Sequence, residues 1–216
     1  MTEPPAGSAG GGAAGGVPTL LLATRNESKL VELRRILAPE VPVRIVGLGD
    51  VPAYPELPET GATFAENALL KAREAVRHTG LPAVADDSGL TVDALNGMPG
   101  VLSARWSGQG HDDVRNLRLV LEQIADLPDS RRGAAFVCAA ALVTPDGTEQ
   151  VVHGQLDGVL VREPRGGNGF GYDPIFRPAG RTQTSAELSP ADKDAISHRG
   201  LALRALVPYL RAALLH

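Results

Sequence analysis

The sequence predicts an α/β fold with a mixed sheet, from the order of its segments. Apolar runs of strand length alternate with stretches of helical spacing in the first half. Further on, a long apolar run, a tight turn and a second apolar run place a β-hairpin in the middle of the chain. The 216 residues lie below the roughly 250–300 at which single cores divide, so one core is expected.

Residues 1–17 (MTEPPAGSAGGGAAGGV) carry almost no apolar bulk to offset the entropy of ordering, and a flexible tail is expected there. Residues 18–216 are expected to form a single domain without internal repeats. The domain opens with an apolar run from Thr19 to Thr24, a strand by its length and flanks. The polar turn TRNESK follows, and Leu30, Leu33, Ile36 and Leu37 then recur at helical spacing. A second helix is expected over 64–78, where Thr63 and Glu66 form a capping box and Gly80 with Pro82 ends it. Its apolar face is Phe64, Ala68, Leu69, Ala72 and Val76, with Asn67, Lys71 and Glu74 on the other side. A short strand, PAVAD, is expected to run into a DDSG turn, with another strand near 90–94. A helix around 112–125 turns Leu117, Val120, Leu121 and Ile124 inward. AAFVCAAALV, the turn TPDG and TEQVVHG make the hairpin, and strand character continues through GVLVRE. Ser189, Pro190 and Asp192 mark a helix start. The last helix, over about 199–214, carries Leu203, Leu206, Leu210 and Leu214, with a kink expected at Pro208.

Composition narrows the function classes. The chain is 43% hydrophobic and 21% charged, and no apolar run approaches the length of a membrane span. A net charge of −4 without a basic stripe argues against a nucleic-acid partner, so phosphate handling would concern a small ligand. A single cysteine, Cys138, forms no internal disulfide and no cysteine-cluster zinc site; it reads as a packed strand residue. The N-terminus lacks the basic-then-apolar order of a signal peptide, and a cytoplasmic enzyme is expected.

Four segments carry chemistry. Thr24, Arg25, Asn26, Glu27, Ser28 and Lys29 lie between a strand and a helix, where unpaired amides and the helix dipole favour an anion. The turn lacks the glycines of a P-loop, which argues against a motor-type NTPase; alone it reads as an ordinary polar connection. In Asp86-Asp87-Ser88-Gly89, alternation along a strand sends adjacent carboxylates to opposite faces. One is expected to face a cleft and the other to fix the loop, and the residues alone leave open which is which. Carboxylates with phosphate oxygens suit Mg²⁺, and Glu59 offers a second one from the loop before the capped helix. The bland reading of the segment is a turn with an Asx cap. The glycine-rich GGNGFGYDP lets backbone approach a ligand, and Phe170 between two glycines has a ring face open to stack on a base. Its bland reading tucks Phe170 and Tyr172 into the core. Lys193 and the pair His198-Arg199 offer donors to phosphates or a purine edge, the alternative being a cap on helix carbonyls. Trp106 reads as core packing, and His78, His111 and His153 show no metal-ligand spacing.

Taken together, TRNESK, ETGATFAENALLKA, ADDSGL, GVLSARWSG, GNGFGYDPIF and ELSPADKDAISHRG resemble the HAM1-like inosine/xanthosine triphosphate pyrophosphatases, in order from about residue 19 to 210. The resemblance implies an elongated two-lobed α/β fold with a curved mixed sheet flanked by helices, and an active-site cleft between the lobes. It also implies a homodimer that cleaves ITP, dITP and XTP to monophosphate and pyrophosphate with Mg²⁺. By the same resemblance Asp87 is the general base and a metal ligand, with Glu59 also on the metal. Thr24 through Lys29 cradle the triphosphate, Lys29 and Lys193 neutralise charge with Lys71 assisting, and Ser88 touches the substrate. Phe170, within Phe170-Gly171-Tyr172-Asp173, stacks on the base, and Asp173, His198 and Arg199 surround its edge. Asn67 and Asp86 are further candidates. Arg25 stands where the family turn often has Gly or Asn, and its own role is open. Two other readings compete: a Maf-like pyrophosphatase of pyrimidine or modified nucleotides, and a nucleotide-binding module without turnover.

Overall fold

The computed structural model describes residues 17–55, 57–110 and 112–215. The expected tail, apart from Val17, and His111 lie outside the described residues. Six strands form one sheet in the order β2-β1-β3-β4-β5-β6. Along the chain these are β1 (Thr19–Leu22), β2 (Arg44–Gly47), β3 (Ala83–Val92), β4 (Gly133–Val143), β5 (Glu149–Leu160) and β6 (Phe176–Pro178). The helices are α1 (Glu27–Leu37), α2 (Phe64–Thr79), α3 (Asp113–Gln123), α4 (Pro190–Ile196) and α5 (His198–Leu214). β1 pairs in parallel with β2 and β3, and every later pairing is antiparallel, so the sheet is mixed as expected. Among the described residues no helix is long and apolar enough to cross a membrane.

The segment around Asp86 corrects the sequence expectation. In place of a short strand, a DDSG turn and a second strand, β3 runs unbroken from Ala83 to Val92. It pairs along its whole length with β4, from Ala83 opposite Val143 to Val92 opposite Ala134. That ladder satisfies the backbone in the extended form, and the turn preference of Asp-Asp-Ser-Gly yields to it. The loop that one aspartate was expected to fix therefore does not exist. The edge strands β2 and β6 escape sequence reading because they have only 4 and 3 residues; Pro178 ending β6 is acceptable at an edge. β1 stops at Leu22, short of the expected Thr24, where the chain turns and the Thr24 amide donates to the Leu22 carbonyl. α5 continues through Pro208 as one helix.

Helices cover both faces of the sheet. On one side, Leu30, Leu33, Ile36 and Leu37 of α1 and Leu203, Leu206 and Leu210 of α5 pack on Leu20, Leu22, Val84 and Leu142. On the other, Ala68, Ala72 and Ala75 of α2 lie against Ala83, Ala85, Ala139 and Ala141. Alanine on alanine lets α2 approach the sheet closely, which brings its polar residues to the level of Asp87. A third cluster joins α3 to the far end of β3 and to Phe136, Ile175 and Phe176.

Candidate active site

The cleft that concentrates the polar residues has a volume of about 830 Å³ and is lined from α1, α2, β3, α5 and the glycine-rich loop. Its centre is β3. Asp86 and Asp87 lie opposite Ala140 and Ala139, whose small side chains leave room for the carboxylates. As strand alternation requires, the two aspartates face opposite sides of the sheet.

Asp87 points toward α2. Its Oδ2 accepts from Asn67 Nδ2 at 3.1 Å, and its Oδ1 lies 3.2 Å from Lys71 Nζ. The same ammonium sits 2.6 Å from Glu59 Oε1 and donates to the Asp86 carbonyl at 3.1 Å. Asn67 is buried, and its Oδ1 accepts the Gly61 amide, which joins the Glu59 loop to the partner of Asp87. The polar side of α2 is thus a wall of the site. Burial raises the pKa of Asp87; Lys71 and Lys29 oppose the shift and the Glu59 charge adds to it. Burial acts on Glu59 too, but Lys71, Lys29 and Arg105 outweigh it and lower that pKa.

Asp86 points toward α1 and α5. Its Oδ2 is 3.2 Å from Lys29 Nζ and 3.1 Å from Arg199 Nε. Burial opposes its charge, yet Lys29, Arg199 and Lys71 together hold it far below the usual carboxylate range. Arg199 also donates to Ser88 Oγ at 2.9 Å and pairs with Glu32. Lys193 is buried between Glu32, at 3.1 Å, and Asp173, at 2.7 Å. These cations are therefore paired within the protein, and Lys29, Lys193 and Arg199 all line the cleft.

Thr24, Arg25, Asn26 and Lys29 line the cleft at the start of α1, whereas Glu27 and Ser28 are exposed and do not. Asn26 caps α1 by accepting from the Lys29 amide at 3.0 Å; the Glu27 and Ser28 amides ahead of it have no intrahelical acceptor. Arg25 donates to the Tyr54 carbonyl at 2.9 Å. Also lining the cleft, the Phe170 ring lies 5.1 Å from Lys193 Nζ and 5.6 Å from the Arg199 guanidinium carbon. Asp173 Oδ2 accepts the Phe170 amide and Asp113 of α3 accepts the Gly171 amide, which fixes the loop. Tyr172 is buried with its hydroxyl donating to the Ser103 carbonyl. His198 stacks on Phe136 with ring centroids 4.8 Å apart, and its Nδ1 has no partner. Burial, with Arg199 and Lys193 nearby, drives its pKa well below 6.5, so the ring is neutral. The start of α5 is placed by Gly154 of β5, where a Cβ would collide with the His198 carbonyl and the Ala202 amide.

Sequence reasoning missed Glu32, Arg105 and Asp113. Glu32 offered a signal: it sits beside Leu33 and four residues before Ile36, a carboxylate at the edge of an apolar stripe. Asp113 reads as an ordinary first-turn acid, and Arg105 lies beside a tryptophan that drew attention to packing. Trp106 does pack on the third cluster, donating to Gln123 Oε1 at 2.9 Å.

The profile of the Ham1 family matches residues 20–209. A protein named dITP/XTP pyrophosphatase from Mycobacteroides abscessus is 62% identical over 194 residues, covering 89% of this chain and 94% of its own. One of the same name from Nocardia farcinica is 63% identical over 195 residues, with 89% and 95% covered. A solved HAM1 protein from Coxiella burnetii superposes with a TM-score of 0.81 at 44% identity, over 90% of this chain and 99% of that one. With a profile match across the described domain and such identity along 89% of its length, this chain belongs to the Ham1 family.

Proposed function

We propose that this protein hydrolyses dITP, ITP and XTP to the monophosphate and pyrophosphate with Mg²⁺, as a cytoplasmic homodimer. One observation carries the reading: Asp87 and Glu59 converge on a single ammonium, that of Lys71, in the cleft that Thr24, Asn26 and Lys29 also line. The names of the relatives support the substrate class.

The donor set fits Mg²⁺. Two carboxylates that already bracket a cation are hard oxygen ligands, and the ion takes its other positions from phosphate and water. No cluster of three or more His, Cys, Asp or Glu arranged for a metal occurs among the described residues. Glu59 and Asp87 would hold it, and when bound it neutralises charge on the phosphate oxygens. The protein's own groups do the rest. The α1 amides and Lys29 receive the phosphates, and Asp87 takes the proton of a water that attacks the α-phosphorus as the bond to pyrophosphate breaks. Phe170 offers a stacking face. His198, with a free Nδ1, and Arg199 line the cleft and would meet the base edge. ITP and XTP present a 6-oxo acceptor and an N1–H donor where ATP presents the reverse, so a site matched to the first leaves buried groups unpaired with ATP.

Pyrophosphate release from ITP, XTP, GTP, ATP and dTTP, each with Mg²⁺ and with EDTA, tests the proposal. Metal-dependent release from ITP and XTP alone supports it. Preference for dTTP moves the protein to the Maf-like reading, and no release from any leaves a binding module. Light scattering at working concentration tests the dimer.

A further inference from the structure

Arg105 lies outside the cleft lining, yet it holds the Glu59 residue at two points. Its Nη1 is 3.5 Å from Glu59 Oε2 and its Nη2 donates to the Glu59 carbonyl at 3.3 Å. Lys71 engages the other carboxylate oxygen, Oε1. Glu59 belongs to the segment between Val51 and Ala62, where none of the described residues is in a helix or strand. The base of Arg105 is anchored. It ends a 3₁₀ turn, Gly100–Arg105, whose Ser103 Oγ accepts from the Leu90 amide at 2.9 Å and donates to the Gly100 carbonyl at 2.7 Å. At Gly89 that turn approaches β3 so closely that a Cβ would collide with Ser103 Oγ. Tyr172 Oη donates to the Ser103 carbonyl as well. The support of Arg105 is therefore the same strand that carries Asp87.

We propose that Arg105 is a positioning residue that sets Glu59 against Asp87, through β3 and the Ser103 turn, so that the two carboxylates keep their spacing when a divalent cation replaces Lys71 between them. The inference rests on the metal reading above. A cation held by Glu59 and Asp87 would compete with the Lys71 ammonium for the two carboxylates and repel it. A hold that depended on Lys71 would weaken as the metal arrives. Arg105 uses the remaining carboxylate oxygen and the main chain, so it persists. Only a planar fork reaches both, and a lysine cannot replace it.

The test has one readout without metal and one with it. In metal-free protein, hydrogen exchange of a peptide spanning 57–62 is expected to rise about tenfold in R105A and in R105Q, the latter keeping most of the stem. The half-saturating Mg²⁺ concentration for ITP hydrolysis rises about tenfold or more. At saturating Mg²⁺, kcat changes by no more than about threefold. R105K shows the same losses. Unchanged exchange over 57–62 overturns the proposal, as does full rescue by R105K, which would make bare charge sufficient. An exchange increase spread over the whole 3₁₀ turn and α3 also overturns it, because Arg105 would then be supporting the fold. E59Q separates the two readings. If it leaves the Mg²⁺ requirement untouched, Glu59 is no metal ligand and the proposed role falls, whatever the exchange shows.

Discussion

On one face of β3, Asp86 lies against Lys29 and Arg199; on the other, Asp87 shares one ammonium, Lys71, with Glu59 and accepts from the Asn67 amide. Both side chains are buried, with 1% and 5% of their residues exposed. What differs is the ratio of cations to carboxylates. Asp86 meets two partners on its own face, and they overcome burial and lower its pKa. Asp87 meets a cation already divided with a second acid, so burial prevails and its pKa rises. A carboxylate surrounded by fixed cations is a structural counter-charge. One that is short of cations has capacity left for a proton or a metal.

Exchanging each aspartate for its neutral isostere sharpens the contrast. D87N is expected to lower turnover of ITP by about 10²- to 10⁴-fold, the usual worth of a general base. Because a raised carboxylate pKa means that the charged form is disfavoured in the fold, its unfolding midpoint should equal or exceed that of the parent. Steady-state rates and urea denaturation of the same preparation read both. Normal turnover would remove Asp87 from the chemistry.

D86N should show its main effect in the fold. It leaves Lys29 and Arg199 short of a counter-charge in a buried setting, and breaking such a pair typically costs about 3–5 kcal/mol of stability. Glu32 still pairs with Arg199, which places the expectation at the lower end. If D86N unfolds like the parent but loses activity, Asp86 belongs with the reacting groups and the division between the two faces fails.

How much of this was legible in the sequence follows from what fixes each element. α2 was read nearly to the residue, because its ends are set locally: Thr63 Oγ1 accepts the Glu66 amide and Gly80 takes a left-handed φ of 66°. β3 was misread because its local signal, Asp-Asp-Ser-Gly, favours a turn and the decisive partner, β4, lies some fifty residues away in sequence. The opposite facing of the aspartates was nonetheless legible, since it needs only the strand period. The pairing of Glu32 with Lys193 and Arg199 was not, because it depends on α1, α4 and α5 meeting across one face of the sheet. The residues themselves marked Asp86, Asp87, Glu59, Phe170, Lys193, His198 and Arg199 as candidates, and the family resemblance supplied their roles.

The smallest effect tests the cationic side of the comparison through His198, which stands beside Arg199 and cannot take a further charge. Burial first, then Arg199 and Lys193, depress its pKa well below 6.5. The sign follows from proton uptake. Below about pH 6.5 the unfolded imidazole binds a proton that the folded one refuses, so stability is complete above that pH and declines as pH falls. The slope from this one group approaches about 1.4 kcal/mol per pH unit. The lowered carboxylates Asp86, Glu32 and Glu59 act in the same direction, but only as pH nears their unfolded values of 3.8 and 4.5. Asp87 and Asp173, shifted upward, act in the opposite sense. The difference between parent and H198N therefore isolates the imidazole between about pH 5 and 6.5. Unfolding free energies measured across that window are expected to converge as pH falls, the parent losing its lead. Parallel curves would mean that the folded ring accepts a proton beside Arg199, and the cation-saturated face would then have spare capacity after all.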